Sequence, residues 1–336
     1  MYRTLTDDII QAGGAAGRAH LRALGHSDRT LSAAVRAGAI ARARRGWYTI
    51  WPDSDPRLQA LRIGGRLTGL SAIAAMGGWV RTRPRMHVAV PINAARLRCP
   101  RRRTVAFTAS PRRSSVVLHW SRQRHDRDVS TGVVGLLEAL EVAFLTATSE
   151  DAVAALDWAR RSGRIDVIDL ETLRERLPAS LRILVARSSD QCHSLPESLT
   201  RTRLAALGLR AREQVVIPGD ASPIDLLVEH AVAIEVDGDE FHRDRFERDR
   251  AKDLAITVHG LHAIRPAARH VYDDWPRVEA AVLTALAERK VPVPALPSRR
   301  ARPGVNNSGQ RARARRLSRA FPRTVSPRPR PRPSLS

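Results

Sequence analysis

A largely apolar stretch carries four acidic residues, and the spacing of three of them could place them close together on neighbouring strands. The stretch covers residues 223–238 and contains Asp225, Glu235 and Asp237. If it forms a hairpin that turns at His230, Asp225 and Glu235 are each five residues from the turn and lie directly opposite one another. Opposed carboxylates repel each other, and a cation bound between them removes that repulsion.

The chemistry that such acids could support is that of a hard divalent cation. Carboxylate oxygens suit Mg²⁺ or Mn²⁺, with water completing the coordination shell. A metal ion held in this way can activate a water molecule and neutralise charge that develops on a phosphate group. We therefore predict Mg²⁺ (or Mn²⁺) as the cofactor, with Asp225, Glu235 and Asp237 as ligands. The alternative is an exposed sheet face that carries solvated acids.

The segments that would position these acids are predicted from capping residues and hydrophobic alternation. Glu197 begins a helix that runs to about Leu207, and residues 213–217 form a strand. One face of the hairpin is wholly apolar and belongs in a core, and it carries Ile224, Leu226, Val228, Val232, Ile234 and Val236. The opposite face carries the acids.

Six short sequence motifs follow one another between Glu197 and Arg265. They are Glu197-Ser198, Ile224-Asp225-Leu226, Glu235-Val236-Asp237-Gly238, His242, Asp249-Arg250-Ala251-Lys252 and Gly260-Leu261-His262-Ala263-Ile264-Arg265. In order and spacing together they resemble the restriction-endonuclease-like PD-(D/E)XK superfamily. Within it, they are similar to the relatives of the very-short-patch-repair endonucleases that are called domain of unknown function 559. The resemblance implies an α/β fold in which helices flank a mixed sheet.

The resemblance also implies an activity, the metal-dependent hydrolysis of phosphodiester bonds in DNA. Residue by residue, it implies that Asp225 and Glu235 ligate the metal ion and that Asp237 could join them. Glu197 could reach the site from the end of its helix. His242 would accept a proton or contact a phosphate.

This chain departs from the superfamily pattern at the lysine that usually follows the glutamate by two residues. Asp237 stands in that place, so the positioning of the attacking water falls to His242 or Lys252, or is not performed. For Asp249 and Lys252 an ion-pair role is equally open. A non-catalytic DNA-binding regulator, antitoxin-like and with a degenerate nuclease fold, is therefore the alternative to an endonuclease.

Residues 1–51 are predicted to form a small DNA-binding module. Ser27 is suited to cap a helix that runs to about Ala37, and a basic stretch then turns at Gly46 into an aromatic strand. This segment resembles the winged-helix domain of abortive-infection-type antitoxins, in which a basic run ending Arg-Arg-Gly-x-Tyr is typical. The helix would enter a major groove and the basic turn would lie on phosphates. The predicted DNA-contacting residues are Arg29, Arg36, Arg42, Arg44 and Arg45. A helical adaptor with a solvated arginine face is the alternative.

Residues 57–190 are predicted to be an α+β region that serves as scaffold. We expect an apolar helix over residues 67–80, strands over 86–91 and 116–120, and amphipathic helices over 133–148, 150–161 and 166–176. His87 and His119 have no metal-ligand spacing and are expected to be structural. Arg101–Arg103 and Arg112-Arg113 either contact phosphate or form a solvated loop.

Residues 191–290 are the nuclease-like region, and residues 291–336 are a Pro/Arg-rich tail. Pro297 to Ser336 holds 12 arginines and no Asp, Glu or Lys, which favours disorder and non-specific binding of nucleic acid.

The composition of the whole chain supports a nucleic-acid partner. Its formal net charge is +23, and a surface this basic favours polyanions. No aromatic RNA-binding motif distinguishes DNA from RNA as the substrate, and no toxin or antitoxin partner is identified. Two cysteines are too few for a disulfide framework. No signal peptide or membrane span is recognised, so a cytoplasmic location without a membrane partner is expected.

Overall fold

The computed structural model describes residues 4–81, 85–109, 115–121, 129–218, 222–237 and 246–292, with side chains left out at 246–249. These residues all belong to one compact unit, Met1–Ser298. They form helices together with three separate sheets, so the fold is mixed α/β. His242 and the tail beyond residue 292 lie outside the described residues. Among the residues described, no helix has the length and apolar character needed to cross a membrane.

The amino-terminal elements surround a small antiparallel sheet. They are α1 (Leu5–Gln11), β1 (Ala15–Gly17), α2 (Arg18–Ala23), α3 (Asp28–Arg36), β2 (Ala41–Arg44) and β3 (Trp47–Thr49). β3 lies between β1 and β2. Ser27 caps α3 as predicted, because its side chain accepts a hydrogen bond from the backbone of Thr30. Leu31 is fully buried and holds the inner face of α3 on this sheet's core.

One amino-terminal prediction is wrong in detail. The Ala-rich composition of residues 7–24 predicts a helical segment that is interrupted near Gly13 and Gly14, whereas strand β1 follows the interruption before the next helix begins. Both glycines have positive φ (105° and 99°), which only glycine adopts readily. The chain therefore leaves the helical conformation at these two residues and continues as a strand. A side chain at Gly14 would collide with the ring of Trp51.

The middle elements enclose the largest hydrophobic core of the described chain. They are α4 (Pro56–Ile63), β4 (Arg66–Leu67), α5 (Gly69–Ala75), β5 (Met86–Pro91), β6 (Val116–Ser121), α6 (Leu136–Thr146), α7 (Ser149–Arg161), α8 (Val167–Arg176) and α9 (Ala179–Ala186). The sheet order is β4-β5-β6, with β5 and β6 parallel. The two predicted strands and the three predicted amphipathic helices are confirmed.

The predicted apolar helix over residues 67–80 is wrong at both ends. Leu67 belongs to β4, which pairs with β5, and the helix spans only Gly69–Ala75. Pairing with β5 takes precedence over the local apolar pattern at the start. At the end, the chain turns away at Gly77, whose φ is 85°.

The carboxyl-terminal elements form a four-stranded mixed sheet with helices on both faces. They are α10 (Leu195–Ala206), β7 (Ala211–Val215), β8 (Ile224–Val228), β9 (Val232–Ile234), α11 (Phe246–Val258), β10 (His262–Ile264), α12 (Ala268–Asp273) and α13 (Trp275–Glu288). The sheet order is β10-β9-β8-β7, in which only β9 and β10 are parallel. α13 covers one face and α11 covers the other.

The apolar face predicted for the β8–β9 hairpin is confirmed with one exception. Leu226, Val228, Val232 and Ile234 pack against α13, as alternation predicts. Ile224 packs instead with Ala233 and Ile256 beneath α11. Strand pairing is irregular at this point, because Gln214 in the adjacent strand has a left-handed backbone (φ 49°).

A buried polar network joins α7 of the middle region to α10. The carboxylate of Asp157 is fully buried and accepts hydrogen bonds from Ser198 Oγ (2.6 Å), Arg201 Nη2 (2.8 Å) and the Ser189 backbone (2.8 Å). Nearby, Glu150 pairs with Arg203 of α10. These contacts hold α10 between the middle region and the four-stranded sheet.

Candidate active site

The hairpin of β8 and β9 places the two central acids opposite one another. Its register pairs Leu226 with Ile234 and Val228 with Val232, so that continuing it by one residue pairs Asp225 with Glu235. The backbone N–H of Asp225 donates to Glu235 Oε1 at 3.4 Å. The predicted position of this acid pair is therefore confirmed.

A tight turn sets this register. Glu229 and His230 both have left-handed backbones, with φ of 47° and 56°, and the N–H of Ala231 donates to the carbonyl of Val228 at 3.0 Å. Three residues, Glu229 to Ala231, connect the paired Val228 and Val232, and the positive φ angles of the first two turn the chain back on itself. The turn predicted at His230 is confirmed.

Lys252 extends from α11 to the same acids. Its Nζ lies 2.7 Å from Glu235 Oε2 and donates to the carbonyl of Pro223 at 2.6 Å. Glu235 is 6% exposed and Lys252 is 8% exposed, so the ion pair is removed from bulk water. The alternative of solvated acids on an open sheet face is therefore wrong for Asp225 and Glu235, because α11 covers that part of the face.

Burial makes both acids difficult to ionise, and the charge of Asp225 adds to this effect at Glu235. Burial, followed by the charge of Asp225, raises the pKa of Glu235 to about 7, although the charge of Lys252 acts in the opposite direction. Burial also raises the pKa of Asp225, against the hydrogen bond that its Oδ2 accepts from the Val236 backbone at 2.9 Å. Because burial disfavours both ionised carboxylates and the charge of Asp225 further disfavours that of Glu235, a cation bound between them would stabilise their ionised form.

Glu197 lies beside this pair at the start of α10. Ser194 caps the helix, and its Oγ donates to Glu197 Oε1 at 2.7 Å. The other carboxylate oxygen accepts from the backbone of His193 (2.8 Å) and from the side chain of Gln214 (3.4 Å). Burial and the charge of Asp225 raise the pKa of Glu197. The structure therefore brings Glu197 to the acids from its helix end, as predicted.

Asp237, the third predicted ligand, lies further along the chain and faces another partner. Its side chain is 51% exposed, and its Oδ1 is 3.6 Å from Nη1 of Arg265. Arg265 also binds Asp253 through its Nε at 2.5 Å. The structure brings together Asp225, Glu235, Lys252 and Glu197, and places Asp237 beside them rather than among them.

Sequence reasoning missed two polar residues at this site. Gln214 contacts Glu197 from β7, and the exposed imidazole of His193 interacts electrostatically with Asp225. No local pattern marks either one, because each reaches the acids only through the packing of α10 and β7 against the hairpin.

The acid pair is suited to a magnesium ion, which keeps several water ligands, and not to a metal ion that is surrounded entirely by protein ligands. Within the described ranges, no group of three His, Cys, Asp or Glu side chains is arranged to hold a metal ion. The residues that could hold one are Asp225 and Glu235. Mg²⁺ is usually bound through one or two carboxylates, with water and substrate oxygens completing its shell. Two adjacent carboxylates of raised pKa, one buried (Glu235) and one half-buried (Asp225), meet that requirement.

The five arginines predicted to contact DNA have different environments. Arg29 and Arg36 are exposed on the outer face of α3, and Arg45 is exposed between β2 and β3. Arg42 and Arg44 are half-buried in β2, and the Nε of Arg42 is buried with no hydrogen-bond partner. Three of the five are thus openly available to a large ligand.

Neither profiles of known protein families nor curated proteins give a match to this chain.

The acid pair predicts an effect on stability that does not depend on activity. The pKa of Glu235 rises from 4.5 in the unfolded chain to about 7, so its favourable contribution is present below pH 4.5 and is lost as pH rises to about 7. Asp225→Asn removes the repelling charge. We expect it to raise the free energy of unfolding of the metal-free protein at pH 8 by about 1–3 kcal/mol, and to change it little at pH 4.

Thermal melts of the full chain in EDTA measure this effect, and Asp237→Asn is the matched control because that acid is exposed and paired with Arg265. Mg²⁺ at a hundredfold excess over its Kd should then stabilise the wild type by about 2.7 kcal/mol, and Asp225→Asn by much less. Equal melting curves for wild type and Asp225→Asn, with and without Mg²⁺, would refute the interacting acid pair.

Proposed function

We propose that this protein is a DNA-binding, Mg²⁺-dependent endonuclease. Its carboxyl-terminal region would be a restriction-endonuclease-like domain of the PD-(D/E)XK type. In support, a helix with an acid at its start precedes a hairpin with two opposed acids, and a further helix and a parallel strand follow. The sheet has helices on both faces, as that fold requires.

The observation that carries the proposal is the contact of Lys252 with Glu235 beside Asp225. Two acids and a lysine in one buried cluster are the residue types with which such nucleases hold a metal ion and a water molecule. Here the lysine comes from α11 and not from the strand, where Asp237 stands in its usual place. A lysine supplied from the helix would take the place of the lysine that the strand lacks, which supports the catalytic alternative.

The proposed roles follow from the positions of the side chains. Asp225 and Glu235 would hold the metal ion, which when bound supplies a more acidic water and neutralises charge on the phosphate. The Lys252 ammonium orients the Glu235 carboxylate through Oε2 and places a positive charge where negative charge develops. Glu197 adds a further acidic group beside the cluster and, through water, would contribute to the cation's surroundings.

For DNA binding, the amino-terminal elements support a winged-helix domain. The order helix, strand, helix, helix, strand, strand, with a three-stranded antiparallel sheet, is that of a winged helix. Its recognition helix would be α3, which presents Arg29, Ser32 and Arg36 outward. The turn between β2 and β3, with Arg45 exposed, would form the wing on the phosphate backbone.

A plasmid-nicking assay on the full-length protein tests the proposal. Wild type should convert supercoiled plasmid to nicked or linear DNA with Mg²⁺ or Mn²⁺, and EDTA should stop the reaction. Glu235→Ala should lose cutting while it still binds duplex DNA. The control is Glu288→Gln, an exposed acid at the end of α13, which should cut like wild type.

Each outcome of this assay has a definite meaning. Cutting that survives both EDTA and Glu235→Ala would place the activity outside this cluster, or in a contaminant. Binding of DNA without any metal-dependent cutting would favour a regulator that retains only the nuclease fold. RNA cleaved in preference to DNA under the same conditions would reassign the substrate.

A further inference from the structure

A basic loop of the middle region lies next to the proposed DNA-binding module. Residues 94–105, here called the arginine loop, contain no acidic residue and five arginines, Arg96, Arg98, Arg101, Arg102 and Arg103. The loop is held in place, since the backbone N–H of Cys99 donates to Val105 O (2.9 Å) and Leu97 packs against the middle core. It therefore presents its charges from a fixed backbone.

The arginine loop is attached to α4, the helix that follows the amino-terminal module. The backbone N–H of Arg98 donates to the carbonyl of Ile63 at the end of α4 (3.3 Å). In return, Nη1 of Arg62 donates to the carbonyl of Arg101 (3.4 Å). Arg62 is also paired with Asp53, so its own charge is neutralised. The charges of the arginine loop are not neutralised by these contacts.

Strand β2 of the module reaches the same place through Arg44. The guanidinium of Arg44 lies directly over Gly64, where a Cβ would collide with Nη1 and would also contact Leu97 of the arginine loop. The backbone of Gly64 has φ of 117°, a conformation that residues other than glycine rarely adopt. The glycine thus leaves the space in which Arg44 lies beside the loop.

Arg44 and Arg98 lie near enough for the charge of one to act on the other. Arg98 donates to the carbonyl of Thr104 (3.4 Å), and neither guanidinium forms an ion pair with any acid in the part of the chain that the structure describes. Burial and the charge of Arg98 lower the pKa of Arg44. Two half-buried like charges destabilise a protein unless an anion lies between them.

We propose that Arg44 and Arg98 form a phosphate-binding site for the backbone of duplex DNA, and that the arginine loop extends the DNA interface from the amino-terminal module onto the middle region. This inference rests on the proposed DNA binding and adds a surface to it. Guanidinium groups bind phosphate oxygens through paired hydrogen bonds, so two of them around one phosphate form a strong contact.

Binding of a fluorescently labelled duplex to the full-length protein, measured over a series of salt concentrations, tests this site. Arg98→Gln and Arg44→Gln should each reduce the slope of log Kd against log salt by about 0.9 and weaken binding at 0.1 M salt about 8-fold. Because both side chains serve one phosphate, the double variant should bind little more weakly than either single variant. Arg277→Gln, an exposed arginine on α13, is the matched control and should bind like wild type.

Two further arms separate this site from the proposed DNA binding. If Arg29→Gln on α3 weakens binding and Arg98→Gln behaves like Arg277→Gln, the protein binds DNA but the Arg44–Arg98 site is wrong. If the wild type binds no duplex at all, the proposed DNA binding fails first. In the free protein, Arg98→Gln should raise the Tm at low salt, and inorganic phosphate should raise the Tm of wild type more than that of Arg98→Gln. Equal shifts with phosphate would overturn the site whatever the DNA result.

Discussion

Lys252→Met is expected to reduce the rate of Mg²⁺-dependent DNA cleavage by about 100-fold or more. Methionine is close to lysine in length and tolerates an apolar environment, so the change removes the charge while it largely preserves the packing of α11. Glu235 then keeps its burial but loses its hydrogen-bonding cation. The measurement is single-turnover cleavage of a duplex at saturating enzyme.

The chain offers a close control for this experiment. Lys252 and Lys290 are its only lysines, and Lys290 is exposed after the end of α13. Lys290→Met should therefore cut at the wild-type rate. The Lys252→Met variant should still bind duplex DNA, because the Lys252 side chain contacts Glu235 inside the cluster and is not on the proposed DNA-binding surface. If Lys252→Met cleaves as fast as Lys290→Met, the lysine has no part in the reaction and the site must work through other groups.

Asp157→Ala is expected to cause the largest loss of stability, about 3–5 kcal/mol. Asp157 is fully buried, and its removal leaves the Arg201 guanidinium in the interior without its main counter-charge. Ser198 and the Ser189 backbone lose an acceptor at the same time. The free energy of unfolding, measured by urea denaturation of the full chain, reports the effect.

Two variants show whether the ion pair is the cause. Glu213 is the second acid beside Arg201, at 3.2 Å, and it is partly exposed, so Glu213→Gln should cost less than about 1 kcal/mol. Adding Arg201→Met to Asp157→Ala should recover much of the loss, because no buried charge is then left alone. A loss no larger than that of Glu213→Gln would contradict the structural role given to Asp157.

The acid hairpin could be predicted from the sequence because its information is local. Alternation of apolar residues defines the two faces, and equal distances from His230 determine which residues are opposed. The outward face of α3 could be predicted for the same reason. In both segments the period of the pattern equals the period of the backbone, and the one departure is Ile224, where the pairing with β7 is irregular.

Features that depend on distant contacts could not be predicted in this way. Lys252 could be named as one of two candidates, but its contact with Glu235 depends on how α11 lies across the sheet. Arg62 and Arg66 are buried although arginine is rarely buried, and no local sequence pattern predicts the burial of these two side chains. The strand at Leu67 forms only because β5 is available to pair with it.

The three-residue turn between β8 and β9, Glu229 to Ala231, has a consequence for how this gene could change in length. Surface loops usually accept added or lost residues with little harm. Here one additional residue in the turn would shift β9 by one position and move every side chain after it to the other face of the sheet. Glu235 would then point into the apolar layer beneath α13. Among all the short connections in the carboxyl-terminal sheet, this turn should therefore be the least tolerant of insertion or deletion, even where its residue types are free to vary.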